Sequence, residues 1–183
     1  MIRGKHVCLR AIERRDIETL RRWRNDPDIG RFFADTVPIT EPEQEAWFER
    51  TAASLRAYYL IVEKDGQFVG VANVKDINWI HRTGSYGIYC IPGVSNDMLP
   101  VEAAILFLDW CFDCLNLRKI YGDILDTNTR SRRFHTGLGF QEEGVWRKHV
   151  FHQGEYHDLV AVGVFREEYK EAAGKYRKFL FGE

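Results

Sequence analysis

The chain has 183 residues, 45% hydrophobic and 14% aromatic, and this composition predicts one globular domain, residues 1–183, with a sizeable core. Its 26 Lys and Arg nearly balance 27 Asp and Glu, so the net charge of −1 provides no global field to recruit nucleic acid or an anionic membrane. Four cysteines are too few for a disulfide framework, and no apolar run approaches a membrane span or a signal peptide. We therefore expect a cytoplasmic protein with reduced thiols.

The first third of the chain predicts one strand and two helices. Residues 6–12 alternate in polarity, as expected for a strand. An amphipathic helix follows with Asp16 as its expected N-cap, and it ends before Pro27. A second helix is expected after Thr40, because Pro42 and acidic residues occupy the first turn.

The middle of the chain predicts a β-meander and a buried helix. Two strands within residues 57–77 are joined at Asp65-Gly66, a strong hairpin signal. A third strand is expected within residues 83–92. Residues 99–117 are apolar on nearly all sides and predict a helix buried in the core.

The last third predicts a strand, a polar helix, a β-hairpin and a surface helix. The helix runs from Asn128 to Leu138, and Gly139-Phe140 then turns the chain towards the sheet. The other elements are expected at residues 118–126, 144–153, 155–165 and 166–180, with the hairpin turn at Gln153-Gly154. The order of elements predicts an α/β (α+β) fold with a mixed sheet.

Two groups of side chains that could suggest metal binding are interpreted as structural. Cys111 and Cys114 lie within the apolar helix without a second cysteine pair, which favours core packing. His149, His152 and His157 alternate along strands without a clear ligand triad. The sequence therefore predicts no metal site.

Three stretches, residues 9–29, 86–112 and 128–144, resemble the GNAT superfamily of N-acetyltransferases, and together they span nearly the whole chain. The third is the most specific, because Ser131 follows Asn128 by three residues and a Gly-Phe pair follows by eleven and twelve. Residues 23–29 and 40–48 resemble the branch that includes nucleotide-aminosugar and ribosomal-protein N-terminal acetyltransferases.

The resemblance implies a single-domain fold with a mostly antiparallel sheet, flanked by helices, in which two parallel neighbours splay apart. These would be residues 86–92 and 119–126, whose unpaired backbone groups would bind the pantetheine arm of acetyl-CoA, the acyl donor. The cofactor-binding residues implied are Tyr89, Cys90, Ile91, Ser95, Asn96, Asp97, Met98, Leu99, Asn128, Arg130 and Arg133.

The segment before the buried helix departs from the family pattern. In the family this turn is rich in glycine and wraps the pyrophosphate of CoA, whereas residues 95–100 contain no glycine. Asp97 places a negative charge there and Pro100 removes a donor, while Arg130, Arg132 and Arg133 could compensate. Two interpretations stay open: an enzyme with altered CoA binding, or a catalytically silent binding module.

Acyl transfer to an amine needs a base, polarisation of the thioester carbonyl and a proton for the leaving thiolate. His135 occupies the position where the family often has a tyrosine acid, and backbone N–H groups near Tyr89 to Ile91 would polarise the carbonyl. Asp76 and His81 are the candidate bases. Each of these side chains could equally be an ordinary surface residue.

The predicted acceptor is a primary amine of a small molecule, with a nucleotide-linked aminosugar first, and a protein N-terminus is the alternative. Candidate acceptor-binding residues lie in the first two helices and the segment between them: Trp23, Arg24, Asn25, Phe33 and Trp47. Trp and Arg can stack on a base or bind a phosphate, although both tryptophans could instead belong to the core. A monomer or a homodimer fits the sequence.

Overall fold

The structure is a computed structural model that describes residues 1–30, 33, 37–91 and 98–182. Its strands are β1 (Ile2–Arg3), β2 (Cys8–Ala11), β3 (Tyr58–Lys64), β4 (Gln67–Asn78), β5 (Thr83–Cys90), β6 (Lys119–Leu125), β7 (Gln141–His152) and β8 (Glu155–Phe165). They form one sheet in the order β1-β2-β3-β4-β5-β6-β8-β7. Every neighbouring pair is antiparallel except β5 and β6, which run parallel. The predicted mixed, mostly antiparallel α/β fold is confirmed.

The helices are α1 (Ile17–Asn25), α2 (Pro27–Gly30), α3 (Glu41–Ala52), α4 (Leu99–Asp109), α5 (Thr129–Gly137) and α6 (Arg166–Phe181). The predicted start of α3 is confirmed, because Thr40 and Glu43 form a reciprocal capping box. No helix of the described residues is long and apolar enough to cross a membrane.

The predicted N-cap of α1 is confirmed in its position but not in the hydrogen bond expected of its side chain. Asp16 does occupy the N-cap position, but its side chain makes no cap hydrogen bond. Its carboxylate instead accepts two hydrogen bonds from the Arg10 guanidinium, at 2.6 and 2.7 Å, and Arg10 also donates to Glu63 at 2.7 Å. This largely buried charge network fixes the start of α1 to β2 and β3.

Both predicted hairpin turns are present. Asp65 and Gly66 have φ of 50° and 73° and connect Lys64 to its partner Gln67, the positive-φ pair that a two-residue hairpin loop requires. The β7–β8 turn repeats the pattern at residues 153–154.

Helices cover the sheet on two faces. On one, here called the α4 face, the main core joins Phe107 of α4 and Tyr169 of α6 to Ile120 of the sheet. On the other, the α1 face, Leu20 of α1 packs on Ile61 and Val71. Because side chains alternate along a strand, each strand supplies residues to both faces.

The closing helix α6 lies on the surface, as its charge pattern predicts, but one side of it is buried. Tyr169 and Ala173 are fully buried and Leu180 is nearly so. The Tyr169 hydroxyl donates to the Asp109 carboxylate at 2.9 Å, which links α6 to the end of α4. One apolar stripe on an otherwise charged helix is therefore enough to seat it on the core.

Helix α4 carries a buried carboxylate that the sequence pattern did not single out. Glu102 is fully buried, and its Oε1 accepts hydrogen bonds from the backbone N–H groups of His6, at 2.8 Å, and Val7, at 3.3 Å. The first turn of α4 is thereby tied to the segment between β1 and β2. After Asp109 the helix widens into a π-helical turn, in which Cys111 is buried as predicted and Cys114 is exposed.

Candidate active site

The sheet opens between β5 and β6. The two strands pair only at Thr83 with Lys119, Gly84 with Ile120 and Ser85 with Tyr121. Beyond these residues β5 continues to Cys90 and β6 to Leu125 without further pairing between them. The space between the two unpaired stretches, here called the gap, is the splayed parallel pair that the sequence predicts.

Strand alternation identifies the backbone groups of β5 that face the gap. Ile91 donates its N–H to Val69 of β4 at 2.9 Å, so Ile91, Tyr89 and Gly87 direct their backbone groups to β4. The backbone groups of Ile88 and Cys90 therefore face the gap. The backbone N–H donors were expected near Tyr89 to Ile91. Those of Ile88 and Cys90 face the gap, whereas those of Tyr89 and Ile91 face β4.

The same reasoning applies to β6. Asp126 donates its N–H to Asp158 at 3.1 Å, so the backbone groups of even-numbered β6 residues face β8. Those of Asp123 and Leu125 therefore face the gap. Two strand edges thus present unpaired donors and acceptors, which is the arrangement that binds an amide-containing chain as an added strand.

Helix α5 begins at the open end of the gap. Asn128 donates its backbone N–H to Leu125 at 2.9 Å, and its Oδ1 accepts from the N–H of Ser131 at 3.0 Å. Its predicted N-cap role is confirmed. The cap uses only the side-chain oxygen, so the amide NH₂ is a donor that the cap does not employ.

The three arginines of α5 have different surroundings. Arg130 lies near Cys90 across the gap, because its charge acts on that thiol, whose pKa burial raises to about 12. Arg132 donates its Nε to Glu142 at 3.0 Å and is engaged there. Arg133 is exposed. Arg130 is therefore the arginine that the fold brings to the gap.

The turn before α4 is described only at its end. Ser95, Asn96 and Asp97 lie outside the described residues, so their predicted roles stay predictions. Met98 packs against the main core and the Leu99 side chain is buried in it. Leu99 can therefore contribute only backbone groups to a ligand at the start of α4, whereas the Met98 side chain is only partly buried.

His135 lies on the wall of the gap that faces α4. Its ring makes edge contacts with Tyr86, at 5.7 Å between centroids, and with Phe140, at 5.0 Å. Its Nδ1 lies 2.7 Å from the backbone oxygen of Ser131, and since a carbonyl only accepts, Nδ1 carries the proton. Burial lowers the pKa of His135, so the ring is neutral near pH 7 and Nε2 is an acceptor. The predicted acid role stays a prediction, and it requires a protonated ring.

On the α1 face, acidic side chains and a tyrosine meet where the gap begins. Tyr121 is the last residue of β6 that pairs with β5; burial raises its pKa, and the charges of Asp76 and Asp123 raise it further. Asp76 has φ of 54° and lies in the bulge of β4 between Lys75, which pairs with Ser85, and Asn78. We call Asp76, Tyr121 and Asp123 the apex cluster.

The other candidate base lies elsewhere. His81 is exposed in the turn before Thr83, beyond the paired end of β5, and its N–H donates to Asn78 at 2.9 Å. The structure therefore brings Asp76 to the gap and leaves His81 outside it.

Sequence reasoning missed Tyr121 and Asp123, although the signal was present. Along β6 the apolar residues Ile120 and Ile124 alternate with polar ones, and a period of two on a buried strand marks a polar second face.

Aromatic side chains from α1 and the following segment cover the far part of the α1 face. Trp23 packs on Phe68 with ring centroids 4.5 Å apart, and Phe33 meets the edge of Tyr89 at 5.1 Å. The guanidinium of Arg24 lies over the Phe33 ring at 4.3 Å. Trp23, Arg24 and Phe33 therefore lie together beside β5, and their role in acceptor binding stays a prediction.

Two other predicted acceptor residues have structural contacts. Asn25 exchanges two hydrogen bonds of 2.8 Å with the backbone of Ile39, so its amide holds the chain before α3. Trp47 packs edge-on against Tyr59 at 4.9 Å and belongs to the small core of the α1 face. The core alternative for Trp47 is therefore favoured.

Among the described residues, no three His, Cys, Asp or Glu side chains are grouped so that they could hold a metal ion. His157 instead lies 3.3 Å from the Asp126 carboxylate.

A parallel strand pair opened on an otherwise antiparallel sheet, with a capped helix at the open end, defines the class of acyltransferases in which CoA lies between two strands. The chain belongs to the GNAT acetyltransferase family: residues 6–141 match the family model described as "Acetyltransferase (GNAT) domain". It is accordingly an N-acetyltransferase with acetyl-CoA as the acyl donor, and the interpretation as a silent module is not favoured.

The relatives agree with this assignment. The chain is 26% identical over 163 residues to spermidine N(1)-acetyltransferase of Escherichia coli (strain K12), covering 89% of this chain and 88% of the relative. It is 24% identical over 157 residues to the L-amino acid N-acetyltransferase AaaT of the same strain, covering 83% and 93%. The crystal structure of spermidine N-acetyltransferase from Vibrio cholerae, in complex with CoA and spermine, has the same fold, with a TM-score of 0.84 at 24% identity over 90% of this chain and 98% of that one.

Proposed function

We propose that this chain transfers an acetyl group from acetyl-CoA to a primary amine of a small molecule that enters from the α1 face. The observation that carries the proposal is the apex cluster, which lies beside the point where the gap begins. Carboxylates at that point attract an ammonium group and can accept its proton.

The residues of the gap would hold the acyl donor. Bound acetyl-CoA supplies an acetyl thioester, the group that an amine nitrogen attacks. Ile88 and Cys90 offer unpaired N–H and C=O groups to the amides of its tail, and Asn128 offers its side-chain NH₂ at the open end. Arg130 supplies positive charge for the phosphates on the same side.

Asp76 is the proposed base. It is exposed to solvent, so its carboxylate is available to take the proton of an incoming ammonium group, directly or through water. Asp123 would then hold the ammonium group in position. His135 is not assigned as the proton donor to the leaving thiolate. Its ring is neutral and its proton is on Nδ1, so Nε2 carries a lone pair and has no proton to donate.

Spermidine is the first acceptor to test, because relatives named for spermidine acetylation match nearly the whole chain. A nucleotide-linked aminosugar, the acceptor expected from the sequence, stays a second candidate, since the Trp23, Arg24 and Phe33 side chains beside β5 suit a base or a phosphate. A protein N-terminus is the third.

Thiol release from acetyl-CoA, measured with spermidine, glucosamine and a short peptide, tests the proposal. We expect turnover with at least one of the small amines. Asp76→Asn should lower kcat by about 10²-fold or more, the typical contribution of a general base, and leave the Kd of acetyl-CoA nearly unchanged by calorimetry. Glu171→Gln, an exposed change on α6, is the matched control. Binding of acetyl-CoA without turnover of any small amine would contradict the proposal.

A further inference from the structure

On the α1 face, the side chains of Arg24, Tyr59 and Tyr89 carry hydrogen-bond donors for which the described residues show no acceptor. We propose that Arg24, Tyr59 and Tyr89 form a seat for an anionic group, a carboxylate or a phosphate, of the acceptor molecule. This inference rests on the proposed function and narrows its substrate class to an amine that also carries a negative charge.

Arg24 is held in place by an aromatic ring, and none of the described carboxylates pairs with it. Its guanidinium lies 4.3 Å from the centroid of Phe33, a cation–π contact that fixes the plane of the group. Among the residues that the structure describes, no carboxylate lies within ion-pair distance of it, whereas Arg10, Arg14, Arg21 and Arg22 all have carboxylate partners. A partly buried guanidinium with this surrounding can give its N–H groups to a ligand.

The two tyrosines add neutral donors. The hydroxyl of Tyr89 is buried and makes no hydrogen bond within the described structure, although buried hydroxyl groups nearly always have a partner. The hydroxyl of Tyr59 accepts a hydrogen bond from Trp47, which leaves its own O–H to donate. Burial raises the pKa of both phenols and the charge of Arg24 lowers it, so the guanidinium lies near both hydroxyls.

The register of the sheet relates the seat to the apex cluster. Tyr59 is opposite Asn73 in the sheet, and Asn73 is opposite Gly87, which borders the gap. The charge of Asp76 also raises the pKa of Tyr59, whereas the charge of Arg24 lowers it, so the Tyr59 phenol is influenced by both a carboxylate and a cation. A ligand with an anionic group at Arg24 would therefore present an amine towards Asp76.

Charge complementarity separates the acceptor classes. A bidentate guanidinium contact suits a carboxylate or a phosphate, and two phenol donors strengthen it. A polyamine has only positive groups, which Arg24 would repel. The inference therefore predicts that spermidine is a poorer acceptor than an amine with an acidic group.

Two matched pairs of acceptors test the seat, in thiol-release assays alongside spermidine: L-leucine against 3-methylbutylamine, and glucosamine 6-phosphate against glucosamine. The first pair differs by a carboxylate and the second by a phosphate, so the pair that shows the preference identifies the anion. The wild-type enzyme should favour the anionic member of one pair by at least about tenfold in kcat/KM.

Arg24→Gln should abolish that preference by raising KM about tenfold or more for the anionic member relative to the neutral member of the same pair. Arg24→Lys should restore part of the preference, because it keeps the charge but not the fork. Arg147→Gln, on the exposed strand β7, is the control.

Two results would overturn the inference and leave the proposed function standing: preference for spermidine or a neutral amine over both anionic members, or equal loss for both members of a pair in Arg24→Gln. Absence of turnover with all five amines, while acetyl-CoA still binds, would instead contradict the proposed function and the inference together.

Discussion

Replacing His135 with phenylalanine distinguishes a proton donor from a neutral wall of the gap. The aromatic ring of Phe preserves the edge contacts with Tyr86 and Phe140, but it removes both ring nitrogens. Because Nδ1 donates to Ser131 and the ring is neutral, we expect His135→Phe to retain kcat within about tenfold of the wild type at pH 8. Loss of a true general acid typically costs about 10²–10⁴-fold.

The lowered pKa of His135 also makes the stability of the wild type depend on pH, and His135→Phe removes that dependence. The unfolded His135 titrates near pH 6.5, and burial lowers its pKa in the folded state. Below pH 6.5 the unfolded chain therefore binds a proton that the folded chain rejects, so the free energy of unfolding falls as the pH falls. One such proton gives a slope of up to about 1.4 kcal/mol per pH unit, which ends once the pH drops below the folded pKa.

Urea unfolding of both proteins between pH 5 and pH 8, with thiol-release rates over the same range, measures both effects. The wild type should lose stability towards pH 5, and the difference between the two proteins should shrink by the amount that this slope predicts. Parallel stability curves, or a loss of kcat beyond about 10²-fold at pH 8, would refute the assignment of a neutral ring and restore the acid role predicted from the sequence.

Three further predictions concern stability and are measured by urea unfolding. Glu102→Leu leaves the N–H groups of His6 and Val7 without an acceptor and should cost about 1–3 kcal/mol for each, whereas Glu102→Gln keeps the oxygen and should cost less; equal losses would contradict this. Gly139→Ala should cost at least about 2 kcal/mol, because φ is 91° and the new Cβ would lie 2.8 Å from the Glu168 oxygen; Gly174→Ala, in open space within α6, should be neutral or stabilising. Arg10→Met should cost about 3–5 kcal/mol by leaving Asp16 and Glu63 without their shared cation, more than Arg10→Lys, and a loss under about 1 kcal/mol would contradict a coupled network.

Local signals in the sequence predicted most of the elements. The Thr40 capping box, the Asp65-Gly66 turn and the Asn128 cap depend on neighbours within three residues, and each forms as expected. Apolar periods of two for strands and near 3.6 for helices also indicated the order of the elements, from which the mixed sheet follows.

Contacts between distant parts of the chain were not predictable in the same way. Asp16 had the local pattern of a cap, but Arg10 offered its carboxylate a stronger, charge-assisted partner. Asn25 was predicted to bind the acceptor because the residues next to it in sequence give no sign of its hydrogen bond to the backbone of Ile39, fourteen residues further along the chain. For α6, the count of charges concealed the three apolar positions that pack on the core.

For the active site, the family resemblance implied the gap, and Asp76 and His81 were the candidate bases, but the register that decides which backbone groups face the gap was not predictable. The tautomer of His135 likewise depends on the Ser131 carbonyl one turn earlier, which no residue type reveals. Tyr121 and Asp123 became visible only once β6 was known to border the gap.

The gap also makes a prediction about motion. Along the end of β5, amides that face β4 are locked in a ladder while their immediate neighbours are not, so deuterium uptake should alternate residue by residue: fast at Ile88 and Cys90, slow at Tyr89 and Ile91. Binding of acetyl-CoA in the gap should abolish that alternation. It should also connect the two halves of the sheet, which share only a short run of paired residues, and so make the sheet more rigid. The sheet is therefore expected to become fully rigid only when acetyl-CoA is bound.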